Sequence, residues 1–194
     1  MSNNLTKTNP SYSWLKTINK KNFKNNSITL IGTGLMANQY ALAINEMNIK
    51  NVQIISKSKH KGEKFCKQFG FKHLLYGGYK NNIKNLDDSD LVIVSLPIPL
   101  LLDATQELLK NNFTNILIEK PGSLYHNELL KLSKKITDQN VRIGYNRLLY
   151  PSFLKLKSIL SDEEITSCTF NFTEWVHKII FNKYASDVYQ RWGV

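Results

Sequence analysis

The stretch Ile28-Thr29-Leu30-Ile31-Gly32-Thr33-Gly34-Leu35-Met36-Ala37 decides the fold. A short apolar run stops at a glycine. A G-x-G-x-x-A pattern then leads into Asn38–Met47, where Tyr40, Ala41, Ile44 and Met47 share one helical face. Each small residue has a physical reason. Gly32 permits a tight turn, Gly34 lets backbone approach a pyrophosphate, and Ala37 lets the helix pack closely on the strand. The start of such a helix offers free N–H donors and the positive end of its dipole to phosphate. A tight turn without a ligand is the alternative reading, and the strand–turn–helix context favours the dinucleotide. Thr33, Leu35 and Met36, inside the turn, become candidate cofactor contacts along with Gly32 and Gly34.

Outward from this turn, strand and helix patterns alternate. Strands are expected over Asn51–Ser56, His73–Tyr76, Asp90–Leu96, Asn115–Ile118 and Val141–Tyr145. Helices are expected over His60–Phe69, Leu100–Lys110 and Asn127–Asp138. The rhythm predicts an α/β chain with a Rossmann, doubly wound parallel sheet over residues 27–150. Residues 1–26 read as a polar N-terminal arm with a short helix around Tyr12–Ile18, from which Trp14 and Leu15 dock on the body. After Tyr150-Pro151 the pattern changes to a helix over Ser152–Leu160, one half-exposed alternating strand over Ile165–Trp175, and an aromatic tail, Phe181–Val194. Residues 151–194 are therefore expected to form an incomplete, partial α+β second domain.

The end of the second strand reads the cofactor. An Asp or Glu there would bond a ribose 2′-hydroxyl and mark NAD. This chain instead has Ile54-Ile55-Ser56-Lys57-Ser58-Lys59, with no carboxylate to repel a 2′-phosphate. Ser56, Lys57 and Ser58 are suited to bond one, so NADP is favoured over NAD. The competing reading makes Lys57 and Lys59 only solvated surface charge.

Asn115-Ile116-Leu117-Ile118 ends abruptly in Glu119-Lys120-Pro121-Gly122. Carboxyl ends of strands in open α/β sheets face the ligand crevice. A charged pair there meets a ligand or simply returns to solvent; the flanking motifs favour the ligand.

Composition bounds the rest. The chain has 194 residues, 42% of them hydrophobic, which suits one domain plus part of another. No run is long and apolar enough to span a membrane. The first residues lack a secretory signal pattern. Cys66 and Cys168 are far apart and in no metal-ligand spacing, so a reduced, cytoplasmic chain without a metal site is expected. The net charge of +11 raises nucleic-acid binding. The lysines are scattered among asparagines, as at Lys57, Lys59, Lys61, Lys64 and Lys67, without interleaved aromatics, and this disfavours a nucleic-acid partner.

Three segments together resemble the Gfo/Idh/MocA family of oxidoreductases, named for glucose–fructose oxidoreductase and inositol dehydrogenase. They are the turn Gly32–Ala37, the Glu119-Lys120-Pro121 triplet, and Gly144-Tyr145-Asn146-Arg147-Leu148-Leu149-Tyr150-Pro151. The resemblance implies an NAD(P)-dependent oxidoreductase that moves a hydride to or from a sugar, polyol or nucleotide-sugar-like substrate. It implies that Lys120 is catalytic, bonding the reacting oxygen beside the nicotinamide, and that Glu119 orients the ribose or Lys120. Ser95, Leu96 and Pro97 would line the cofactor, and Tyr145, Asn146 and Arg147 the substrate crevice. Arg147 has a second reading, as a structural ion-pair partner.

The chain departs from the family pattern in two places. A histidine often follows the fourth strand in the family, where Ile98-Pro99-Leu100-Leu101 stands here. Family members also carry an acid/base histidine in the second domain, the domain that covers the cofactor and mediates oligomerisation. None of His60, His73, His126 and His177 holds that position, and the chain stops at Val194. The expectation is a C-terminally truncated member whose Lys120 lacks its partner, with a dinucleotide-binding module short of full catalysis as the alternative function. A basic interaction protein on a Rossmann scaffold is a third, disfavoured reading. Phe170, Phe172, Trp175, Phe181 and Trp192 would need cover, predicting aggregation or a partner, such as a homo-oligomer through the C-terminal strand.

Overall fold

The computed structural model describes residues 21–169 and 171. The chain divides after Asn146 into two compact units. The first holds a sheet of six parallel strands: β1 (Ser27–Ile31), β2 (Asn51–Ser56), β3 (His73–Tyr76), β4 (Leu91–Val94), β5 (Asn115–Ile118) and β6 (Asn140–Ile143). Their spatial order is β3-β2-β1-β4-β5-β6. The winding reverses between β1 and β4, which places the ligand crevice outside the carboxyl ends of those strands. This is the expected doubly wound sheet.

The strands are apolar on both faces because both faces are covered. On one face Ile28, Leu30, Ile54 and Ile93 pack under α1 (Leu35–Glu46) and α2 (Lys59–Phe69), through Ala37, Ala41, Ile44 and Phe65. On the other, Ile31, Ile55, Val92, Val94, Ile116 and Ile118 pack under Leu101, Ala104 and Leu108 of α4 (Ile98–Lys110) and Leu132 of α5 (His126–Ser133). The short α3 (Tyr79–Asn82) was not expected; its Tyr79 hydroxyl donates to Asp103 of α4 at 2.5 Å. The outer strands are the least buried, with Arg142 exposed on β6 and His73 and Tyr76 exposed on β3, as suits sheet edges.

Element ends differ from expectation for local reasons. α1 and α4 begin a few residues early, since first-turn residues need no apolar spacing and Pro99 fits a first turn that has no N–H partner to lose. α2 stops at Gly70, whose φ of 76° closes the helix. α5 ends at Ser133 rather than Asp138, and its last turn tightens as the Lys135 and Ile136 N–H groups bond three residues back to Leu132 and Ser133.

In the second unit, α6 (Pro151–Ile159) forms as expected. Of the strand expected over Ile165–Trp175, the described residues Ile165–Thr169 and Asn171 are not in a strand. Alternation sets which side a strand buries, but its N–H and C=O groups need a neighbouring strand, and the described part of this unit contains none. The rest of that segment, with the aromatic tail, His177 and the aromatics expected to mediate an oligomer, lies outside the described residues. So does the Tyr12–Ile18 helix.

Asp90 fastens the start of β1. Its Oδ2 accepts from the Ser27 N–H at 2.7 Å and the Ser27 hydroxyl at 3.1 Å, and these bonds hold its carboxyl below the usual range. A depressed carboxyl contributes stability above its unfolded value and loses it as pH falls through the folded value. Asp90→Asn is therefore expected to be less stable than wild type at pH 7. The gap should close at acid pH, where the wild-type carboxyl is protonated too. Urea unfolding of both proteins at pH 7 and at successively lower pH through and below the carboxylate range checks this; a gap that does not narrow as pH falls would rule out the charge as its source.

Candidate functional site: the carboxyl edge of the sheet

At the carboxyl edge the parallel ladder runs one residue beyond β1, β4, β5 and β6. Gly32 N–H bonds Ile55 C=O at 2.8 Å, and Ser95 N–H bonds Ile31 C=O at 2.8 Å. Glu119 N–H bonds Val94 C=O at 2.9 Å, and Gly144 N–H bonds Ile118 C=O at 2.8 Å. These links bring the glycine turn, the Ser95 segment, the Glu119-Lys120 pair and the Gly144 segment to one edge. They are residues from every motif singled out in the sequence.

The two glycines of the turn do different work. Gly32 has φ +113°, and a Cβ there would lie 2.0 Å from the Ser95 carbonyl oxygen. Close contact with the neighbouring strand forces glycine. Gly34 has φ −87°, which any residue adopts, and a Cβ there would meet nothing within 4 Å. Neither its conformation nor packing within the protein requires glycine. What Gly34 leaves is open space directly over the start of α1. That start carries no side-chain cap and no acidic residue in its first turn. Uncapped N–H groups beneath an open cradle fit a pyrophosphate. Leu35, 79% exposed, and the exposed Met36 form an apolar rim.

At the end of β2, Ser56 is only 2% exposed, and its hydroxyl donates to the Ser58 carbonyl at 2.9 Å. The Thr33 hydroxyl lies 3.4 Å from it. Ser58 caps α2 by accepting the Lys61 N–H. Lys59 lies near Glu63 and over the Tyr76 ring. Lys57 is exposed and forms no ion pair among the described residues. At the end of β4, Ser95 is buried, Leu96 half-buried and Pro97 exposed at the N-cap of α4. The Ile98–Leu101 stretch forms the first turn of that helix.

At the end of β5, Glu119 is 7% exposed and Lys120 exposed. The Lys120–Pro121 peptide is cis. The buried Glu119 carboxylate accepts the Tyr40 hydroxyl of α1 at 2.5 Å. Burial first, and the adjoining carboxylate second, push that hydroxyl well above the ordinary phenol range, so it stays a donor. Past β6, the Tyr145 hydroxyl donates to the Pro121 carbonyl at 3.4 Å, which sets Tyr145 beside the Lys120 loop. Asn146 is exposed at the end of the first unit, and Arg147 opens the second. Tyr40 is the site residue that sequence reasoning missed. It was counted on the buried helix face; the available signal was that a phenol on such a face needs a polar partner.

Among the described residues no helix is long and apolar enough to cross a membrane. A search of curated protein sequences found no match. Solved structures show the same fold. Apo scyllo-inositol dehydrogenase from Lactobacillus casei is 17% identical with a TM-score of 0.61, over 73% of this chain and 42% of that one. The same enzyme with bound NAD(H) and scyllo-inositol matches with a TM-score of 0.60 and 17% identity, over 71% of this chain and 41% of that one. Myo-inositol 2-dehydrogenase from Lactobacillus plantarum is 22% identical with a TM-score of 0.60, over 70% of this chain and 41% of that one. The match thus spans well under half the length of each of these structures. The model of the Gfo/Idh/MocA oxidoreductase family, NAD-binding Rossmann fold, matches residues 27–147. With its turn, its Glu119-Lys120-Pro121 triplet and its sheet order in place, the chain belongs to that family.

Proposed function

We propose that this chain carries the cofactor-binding domain of an NAD(P)-dependent oxidoreductase acting on a sugar, polyol or nucleotide-sugar-like substrate. The observation that carries the reading is the stitched carboxyl edge. Along it lie the open, uncapped start of α1 and the Glu119-Lys120 pair, on either side of the winding reversal, and this supports a pyrophosphate cradle at the first. When bound, the nicotinamide supplies the hydride donor or acceptor. The chain's own residues do the rest. Gly32, Thr33, Gly34, Leu35 and Met36 shape the phosphate cradle and its rim. Ser95, Leu96 and Pro97 line the crevice between the two halves. Lys120 holds a proton on Nζ toward the reacting oxygen and stabilises the charge that develops there. Glu119 orients the ribose or Lys120, and Tyr145, Asn146 and Arg147 contact substrate.

NADP is the preferred cofactor in this reading. Ser56 has its hydroxyl engaged with its own chain, which leaves Lys57 as the group free to meet a 2′-phosphate. Fluorescence titration is expected to show NADPH binding tighter than NADH by roughly fivefold, the worth of one exposed ion pair. Binding of neither would sink the proposal. A dehydrogenase assay over a sugar and polyol panel then tests turnover. Binding without turnover would identify a dinucleotide-binding module instead.

A further inference from the structure

Tyr40 stands on the helix that opens at the phosphate turn, yet its hydroxyl reaches a carboxylate at the end of β5, 79 residues away in sequence. The two lie in opposite halves of the sheet. β1, β2 and β3 with α1 and α2 form one half; β4, β5 and β6 form the other. In a doubly wound fold each half takes one nucleoside of a dinucleotide, and the pyrophosphate spans the reversal. Gly34 and Ser56 belong to the adenosine half, and Glu119 and Lys120 to the nicotinamide half.

The surroundings are built around this contact. A Cβ at Gly144 would lie 3.1 Å from the Tyr40 hydroxyl and 3.7 Å from Glu119 Oε1. A bare backbone at position 144 leaves the phenol and the carboxylate room to meet. Glu119 is buried and receives the phenol at 2.5 Å, a length typical of a strong charge-assisted bond.

We infer that Tyr40 is a positioning residue, which by holding the Glu119 carboxylate sets the nicotinamide half of the crevice relative to the phosphate turn. The inference rests on the dinucleotide-binding reading above. It requires Tyr40 to matter for the nicotinamide nucleoside and not for the ADP portion. Tyr40→Phe removes the donor and keeps the ring.

The test measures affinity for two probes. One is NADPH or NADH, whichever the wild type binds more tightly. The other is the matching ADP, with or without the 2′-phosphate, which lacks both the nicotinamide and its ribose. Tyr40→Phe is expected to weaken the full cofactor about tenfold, the loss of one charge-assisted hydrogen bond, and to change ADP affinity less than about twofold. Glu119→Gln is expected to show the same selectivity. Adding Tyr40→Phe to Glu119→Gln should then cost clearly less than it does alone, since the two act as one unit.

A residue that only supports the fold would lower both affinities together and cost the same in either background. That result, or no change in either affinity, overturns the inference while cofactor binding by the wild type stands. If Tyr40→Phe does not fold, Glu119→Gln alone decides between selective and parallel loss. A wild type that binds neither probe overturns the dinucleotide reading itself, and this inference with it.

Discussion

Gly32→Ala is expected to destabilise the first unit by about 4 kcal/mol and to abolish cofactor binding with the fold. Two penalties coincide. At φ +113° an alanine is strained, and its Cβ would sit 2.0 Å from the Ser95 carbonyl oxygen. That oxygen belongs to the main chain at the end of β4 and has no rotamer in which to retreat. Relief would require prising β1 and β4 apart at the reversal point, where Ser95 N–H is bonded to Ile31 C=O. Against a total stability of roughly 5–15 kcal/mol, such a loss is severe.

Gly34→Ala is the informative contrast. Its backbone is ordinary and the space around it open, so the melting temperature should barely move. The added methyl would stand where the pyrophosphate approaches, and affinity for NADPH should fall by roughly tenfold or more. Thermal melting and fluorescence titration on both variants check the pair. Equal melting temperatures for Gly32→Ala and wild type would contradict the strand-contact argument.

Lys120→Met is expected to lower kcat by about a thousandfold in the polypeptide that turns over substrate, the usual worth of a positioned proton donor that also meets developing charge. NADPH affinity should stay within about threefold, because the phosphate cradle is built elsewhere on the edge. Lys120 is exposed and forms no ion pair among the described residues, so methionine leaves no buried charge unpaired and stability should hold. Steady-state kinetics beside cofactor titration separates the roles. If affinity falls as far as turnover, Lys120 serves binding and not the chemical step.

The sheet was legible because buried parallel strands write themselves as short apolar runs. β2, β3 and β5 fall where Asn51–Ser56, His73–Tyr76 and Asn115–Ile118 were read. The glycine turn was legible because steric demands at Gly32 are met by one residue type. α3 was not, since four residues after Gly77-Gly78 carry no helical period. The alternation of Ile165–Thr169 misled, because a side-chain pattern says which face a strand would bury and nothing about whether a partner is there to pair with. The Tyr40–Glu119 contact escaped for a related reason. It joins residues that sequence distance holds apart, and tertiary folding alone brings them within 2.5 Å.

The crevice floor is made of peptide groups: Gly32, Ser95, Glu119 and Gly144 are each tied to the next strand through the main chain. Peptide groups do not mutate. In the proposed reading the side chains at Thr33, Lys57, Leu96 and Tyr145 would form a removable rim on a permanent base. A chain steeped in lysine and asparagine can let that rim drift and still present the same floor. On that reading, changes of cofactor or substrate taste would be matters of re-trimming the rim, and an engineer seeking them should leave the base alone.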